Sequence, residues 1–172
     1  MNLPPPFTRK KYGIHAVIES PRGSHNKYVY SPGEDLFKLK KVLPCGTAFP
    51  LDFGFIPHTK GEDGDPLDVL VFLDSPAAVG VVIECRVVGV LEVKQRKQKG
   101  KGAWMRNDRV LAVAACSRGH ARLKDARDLP SAVVDEVVHF FEYYNTMEGK
   151  EFRFMKTGTR QAAWQIITKQ CT

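Results

Sequence analysis

From residue 13 to residue 117 the chain is a succession of short apolar or alternating runs, and helical spacing enters only after them. "HAVIES" (His15 to Ser20) and "NKYVYS" (Asn26 to Ser31) predict strands joined by the turn-rich "PRGSH". "PLDFGFIPH" predicts an extended segment punctuated by Pro50, Gly54 and Pro57. "DVLVFLD" predicts a short buried strand, "VVIECRVVGVLEV" (Val81 to Val93) a long β-branched one broken by Gly89, and "DRVLAVAAC" another. "DLPSAVVDEVVHFFEYYN" then predicts a helix with Asp128 as its cap and Pro130 in its first turn. Val133, Val134, Val137, Val138, Phe141 and Tyr144 form its apolar face. "TRQAAWQIITK" repeats the pattern with Ala163, Ile166 and Ile167. Strands first and helices after predict one α+β domain over residues 1–172, a barrel or curled sheet flanked by helices. Residues 1–12, with Pro4, Pro5 and Pro6, read as an irregular arm.

Composition narrows the classes. At 172 residues, with 43% hydrophobic and 26% charged positions, the chain can bury one ordinary core. It has no run of 18 apolar residues, so no membrane partner is expected. Its start, "MNLPPPFTRKKYG", lacks the apolar stretch of a secretory signal. Cys45, Cys85, Cys116 and Cys171 are far apart, with no C-x-x-C pair, which fits free thiols in a reducing cytosol. The net charge of +7 points toward anionic partners. Much of it sits in "KQRKQKGKGAWMRNDR", Lys94 to Arg109, where seven Lys or Arg accompany one Asp. Gly100 and Gly102 make this segment read as a mobile hairpin loop.

Against that basic background, "GEDGDPLDVLVF" crowds Glu62, Asp63, Asp65 and Asp68 at the mouth of a strand. Gly64 and Pro66 prescribe a tight backbone that aims several carboxylates at one point, where they repel unless a cation joins them. Carboxylate oxygens suit Mg²⁺ or Mn²⁺. A calcium-binding EF-hand is excluded because Asp68 stands where that loop needs Gly and a strand follows. A solvated acidic turn is the plain alternative.

The stretch "EDGDPLDVLV" resembles the D-x-D-P-x-D-V signature of soluble family I inorganic pyrophosphatases. "VIESPRGSHNKYVY", "AFPLDFGFIPHT", "CRVVGVL" and "HFFEYYN" resemble further family segments in the family's order, from about His15 to Gly149. The resemblance implies a five-stranded OB-like closed β-barrel with flanking α-helices, a cytoplasmic location, Mg²⁺ dependence with Mn²⁺ as a substitute, and a homo-oligomer, a hexamer for members of this length. It implies that Asp63, Asp68, Asp108 and Glu19 ligate metal. It implies that Asp65 accepts the proton of the attacking water and that Lys27, Lys41 and Tyr144 hold phosphate. The activity it implies is hydrolysis of pyrophosphate to two orthophosphates.

Several positions depart from the family pattern. Val29 stands for a Glu, Lys40 or Lys41 for an Arg, Phe49 and Phe53 for tyrosines, Gln95 for an Asp, Val110 for a Lys and Asn145 for a Lys. Lysine keeps arginine's charge but not its bidentate fork. The missing carboxylates belong to the substrate side, where the Lys94–Arg109 loop has gained positive charge. Two other readings stay open: a hydrolase of another phosphoanhydride, such as polyphosphate or a nucleotide, and a non-catalytic phosphate- or nucleic-acid-binding module. Nucleic acid is disfavoured because the loop offers only Trp104 for stacking and the acidic cluster repels a phosphate backbone.

Overall fold

The computed structural model describes residues 2–172. Five strands close a ring: β1 (Gly13–Ser20), β4 (Asp52–Phe55), β5 (Asp68–Phe72), β8 (Arg109–Ala114) and β6 (Val82–Arg96), with β6 pairing back onto β1. The expected five-stranded barrel is therefore present. Every ring contact is antiparallel except β5 with β8. β2 (Asn26–Ser31) and β3 (Leu36–Val42) form a separate hairpin. β7 (Met105–Arg106) and β9 (Glu151–Thr159) extend the ring from β6.

Alternation along the strands creates two cores. Ile14, Ala16 and Ile18 of β1, Val69 and Val71 of β5, Val87 and Val90 of β6 and Val110 and Ala112 of β8 meet in one, against Ala163 and Ile167 of α2 (Arg160–Gln170). The opposite faces of β5, β6 and β8, with Phe53 of β4, pack on Val137, Phe141 and Tyr144 of α1 (Ser131–Met147). Gly54 permits the β1–β4 crossing, since a Cβ there would lie 1.9 Å from the carbonyl oxygen of Val17. Among the described residues, no helix is long and apolar enough to cross a membrane.

Four sequence expectations change. Asp128 is not the cap of α1: it closes a short 3-10 turn, and Pro130 occupies the cap position without a side-chain hydrogen bond. β9 was not anticipated; it pairs with β6 over eight positions. The arm is irregular but anchored, because Phe7 and Tyr12 pack on Trp164 with ring centroids 5.0 and 5.3 Å apart. The Lys94–Arg109 segment is a folded return, not a free loop. The Gln98–Lys101 bridge turns it, and Trp104 sits between the guanidiniums of Arg96 and Arg153, 4.9 and 4.4 Å from its ring.

Candidate active site

The acidic turn hangs between β4 and β5. Gly61 N–H donates to the Asp65 carbonyl (2.8 Å) and Gly64 N–H to the Gly61 carbonyl (3.2 Å), closing it locally. Gly64 adopts φ +91°, a left-handed conformation that a side chain would strain. Asp63 Oδ1 accepts from Asp65 N–H (3.2 Å), and Glu62 accepts from Arg106 N–H (2.9 Å), which ties the turn to the entry of β8. Asp63, Asp65 and Asp68 then face one cleft at the mouth of the barrel.

Asp68 and Arg109 open β5 and β8 and are register partners in the parallel pair. Opposite positions put their side chains on the same face, and they form an ion pair. Burial raises the Asp68 carboxyl, opposed by the Arg109 and Lys27 charges. Burial also raises Asp63, and the Asp68 and Asp65 charges add to this. Both shifts describe desolvated carboxylates whose charge a cation would stabilise.

Lys27 and Lys41 are cross-strand partners in the β2–β3 hairpin. The Lys27 ammonium lies 5.3 Å from the Phe53 ring centre and 5.6 Å from that of Tyr144. Burial lowers it to about 8, against the raising influence of Asp68. Lys41 lies over the Tyr144 ring (4.8 Å) and pairs with Glu148. Burial raises the Tyr144 hydroxyl.

The cleft has two lobes that share Lys27, Lys40, Phe53, Asp65 and Asp68. Their volumes, about 190 and 380 Å³, are well above the roughly 10–15 Å³ that one water needs, so either lobe admits a phosphate group. The larger lobe holds Glu19, Val29, Tyr30 and Phe55. Glu19 accepts from Tyr30 N–H (2.7 Å), and burial raises its carboxyl to about 7 despite that bond. The smaller lobe has a cationic side opposite the three aspartates: Lys41, Arg96, Lys97, Arg109 and Lys150 reach it, along with Gln95, Asn107 and Asn145.

Of the sequence candidates, Asp63, Asp65, Asp68, Lys27, Lys41 and Tyr144 meet in the smaller lobe, and Glu19 reaches the larger. Asp108 is not among them. Its Oδ1 accepts from Val93 N–H (2.9 Å), and its Oδ2 pairs with Arg106 (2.7 Å) away from the cleft. The reason is alternation: Asn107, Arg109 and Leu111 share the cleft face, so Asp108 and Val110 point to the other. The cation near this strand start is therefore Arg109, not a residue at position 110. Asn107, Arg109 and Lys150 were not singled out, whereas Arg96 and Lys97 belong to the basic segment expected on the substrate side. For the first two the signal was available, four and two residues before Leu111 on the same strand face.

A divalent cation fits the acidic wall. Asp63, Asp65 and Asp68 supply hard oxygen donors whose charge is uncompensated except by Arg109 and Lys27, and Glu19 adds one more across the larger lobe. Among the described residues, no three His, Cys, Asp or Glu side chains stand close enough together, as they are, to hold a metal ion.

The comparisons agree with this geometry. The family model described as "Inorganic pyrophosphatase" matches residues 16–172. The chain is 45% identical over 148 residues to the inorganic pyrophosphatase of Thermus thermophilus, covering 86% of this chain and 81% of that protein. It is 39% identical over 137 residues to that of Saccharolobus solfataricus, covering 78% and 76%. The crystal structure of the Thermus thermophilus inorganic pyrophosphatase superposes with a TM-score of 0.87, covering 96% of this chain and 92% of that one. With signature, barrel and matched length in agreement, the chain belongs to the inorganic pyrophosphatase family.

Proposed function

We propose that the protein hydrolyses inorganic pyrophosphate to two orthophosphates, with Asp63, Asp68 and Glu19 as the residues that hold divalent cation. The observation that carries the reading is the bipolar cleft: three aspartates on one wall and buried cations on the other, close enough for one phosphoanhydride to touch both. Mg²⁺ is the ion assigned, since oxygen-only donors suit it and Mn²⁺ can replace it. When bound, the cation neutralises substrate charge and makes water a better nucleophile.

The side chains divide the remaining work. Lys27, Lys41 and Arg109 hold the phosphate oxygens, and the Tyr144 hydroxyl donates beside them. Asp65 is the most exposed of the three aspartates and is the proton acceptor. Water attacks one phosphorus as its proton passes to the Asp65 carboxylate. The bridging P–O bond breaks, and the bridging oxygen leaves with the second phosphate.

The same reading includes a homo-oligomer in the cytoplasm. Leu36, Leu39 and Val42 of β3 are more than half exposed, apolar side chains suited to contact with further copies, and all four cysteines are free thiols.

The test is phosphate release from pyrophosphate, tripolyphosphate and ATP, each with Mg²⁺ and with Mn²⁺. Asp65→Asn keeps the shape of the site and should cut release from pyrophosphate by about 10²-fold or more. Undiminished release in that variant would overturn the assignment of Asp65.

A further inference from the structure

The cationic lobe carries a chain of carboxamides whose direction is fixed from both ends. Asn145 is buried at 1% exposure, and its Nδ2 donates to the Phe141 carbonyl (2.7 Å), which can only accept. Its Oδ1 therefore accepts from Gln95 Nε2. Gln95 Oε1 must then accept, and it does so from Asn107 Nδ2 (2.7 Å). Asn107 Oδ1 in turn accepts from Arg109, a group that can only donate. Reversing any one amide would set acceptor against acceptor or donor against donor at its neighbours.

This polarity decides what the lobe can bind. All three amide oxygens already accept from protein donors, which leaves each with at most one lone pair and no charge to offer a cation. What remains unspent is donor capacity. Each carboxamide has a second N–H, and Arg109 Nε, on a residue only 4% exposed, is buried with no acceptor among the described residues. Arg96, Lys97 and Lys150 add positive charge around the same space. A neutral amide offers a divalent ion no charge neutralisation, whereas an array of donors is complementary to phosphate oxygens.

We infer that the amide-lined side of the smaller lobe, across from Asp63, Asp65 and Asp68, is a metal-independent subsite for the non-reacting phosphate end of linear phosphoanhydrides. There Arg109 and the Gln95–Asn107–Asn145 amide chain donate directly to the anion, and divalent ion is confined to the acidic wall. The inference rests on the phosphoanhydride reading above and divides its site between the two kinds of partner. Tripolyphosphate, with more charge and greater reach, gains more from the lobe than pyrophosphate does.

The experiment is calorimetric titration of wild-type protein with imidodiphosphate, a non-hydrolysable pyrophosphate analogue, and with tripolyphosphate, in excess EDTA. Binding should persist without metal, more tightly for tripolyphosphate. Asn107→Asp is isosteric and retains an oxygen for Arg109, but adds a negative charge. It should weaken binding in EDTA by about 10- to 100-fold, the worth of one charge-assisted hydrogen bond. Adding Mg²⁺ should restore binding in the variant more than in the wild type, a crossover that a merely structural defect would not give. Lys150→Gln, which leaves the amide chain intact, should weaken binding in EDTA severalfold and covers the case where Asn107→Asp fails to fold. Wild-type protein that binds imidodiphosphate with Mg²⁺ but not in EDTA overturns the inference and leaves the hydrolytic reading standing. Binding in EDTA without hydrolysis in Mg²⁺ does the reverse. Equal affinity in EDTA for the wild type and both variants also overturns it.

Discussion

The two walls of the cleft are built from different elements and solve opposite electrostatic problems. The acidic wall comes from one contiguous turn, Asp63 to Asp68, and concentrates negative charge that burial makes costly. The cationic wall is assembled from distant parts: the end of β6, the start of β8, the last turn of α1 and the β2–β3 hairpin. On the proposed reading the first wall binds by acquiring a cation; the second already carries charge and unspent donors. Arg109 links them, pairing with Asp68 on one side and donating to Asn107 on the other. The metal-binding half of such a site can thus stay intact while the opposite half is rebuilt in neutral amides.

The largest effect should come from the acidic wall. Asp68→Asn removes a carboxylate that faces both lobes and should reduce phosphate release by about 10²-fold or more, with a parallel loss of Mg²⁺ affinity. A variant that lost rate but kept its full metal affinity would mean that Asp68 acts on substrate alone.

Next is the link between the walls. Arg109→Gln leaves Asp68 without its partner and takes the charged donor from Asn107, so urea unfolding should report a loss of up to about 3–5 kcal/mol. Arg109→Lys keeps the charge but not the fork. It should recover part of that stability while KM stays raised. Full recovery of KM would show that only the charge at this position matters.

A moderate effect should appear with pH. Lys27 faces Asp68 and Glu19 on one side and Arg109 and Lys41 on the other, and burial brings its ammonium to about 8. It is charged below that value and neutral above it, so its hold on anions is present at low pH and lost as pH rises through about 8. Lys27→Arg stays charged throughout. Affinity for imidodiphosphate in EDTA, measured from pH 7 to 9.5, should therefore fall less in the variant than in the wild type. Parallel curves would exclude Lys27 as the titrating group.

The smallest effect separates the basic return. Of its residues before β7, Arg96 and Lys97 line the cleft beside Gln95, whereas Lys99 and Lys101 are exposed away from it. Lys97→Gln should raise KM severalfold, more for tripolyphosphate than for pyrophosphate. Lys99→Gln with Lys101→Gln should change it by less than about twofold. A larger effect from the second pair would mean the segment swings over the substrate as a unit.

The readable parts of the molecule were those where one local pattern fixes one outcome. The acidic turn was legible because Gly64 and Pro66 constrain the backbone between its carboxylates. The ring strands were legible because β1, β5 and β8 are dense, nearly continuous buried apolar runs. β3 and β9 were not, because "LFKLKKV" is largely exposed and "EFRFMKTGT" buries only Gly158 fully, so neither shows the contrast by which a strand is recognised. Asp108 was named as a metal ligand by the family resemblance, yet its neighbours' alternation turns it into an acceptor for Val93 N–H and Arg106. The amide chain could not be read at all: Gln95, Asn107 and Asn145 are 12 to 50 residues apart, and only the fold joins them.

The division of the cleft is tested most directly by counting ions. Mn²⁺ bound per chain, followed by electron paramagnetic resonance at saturating imidodiphosphate, should be compared between wild-type protein and Asn107→Asp. If the amide chain excludes metal from the cationic lobe, the variant holds one more Mn²⁺ per chain than the wild type, because a carboxylate has been returned to that lobe. Equal counts in the two proteins would contradict the account.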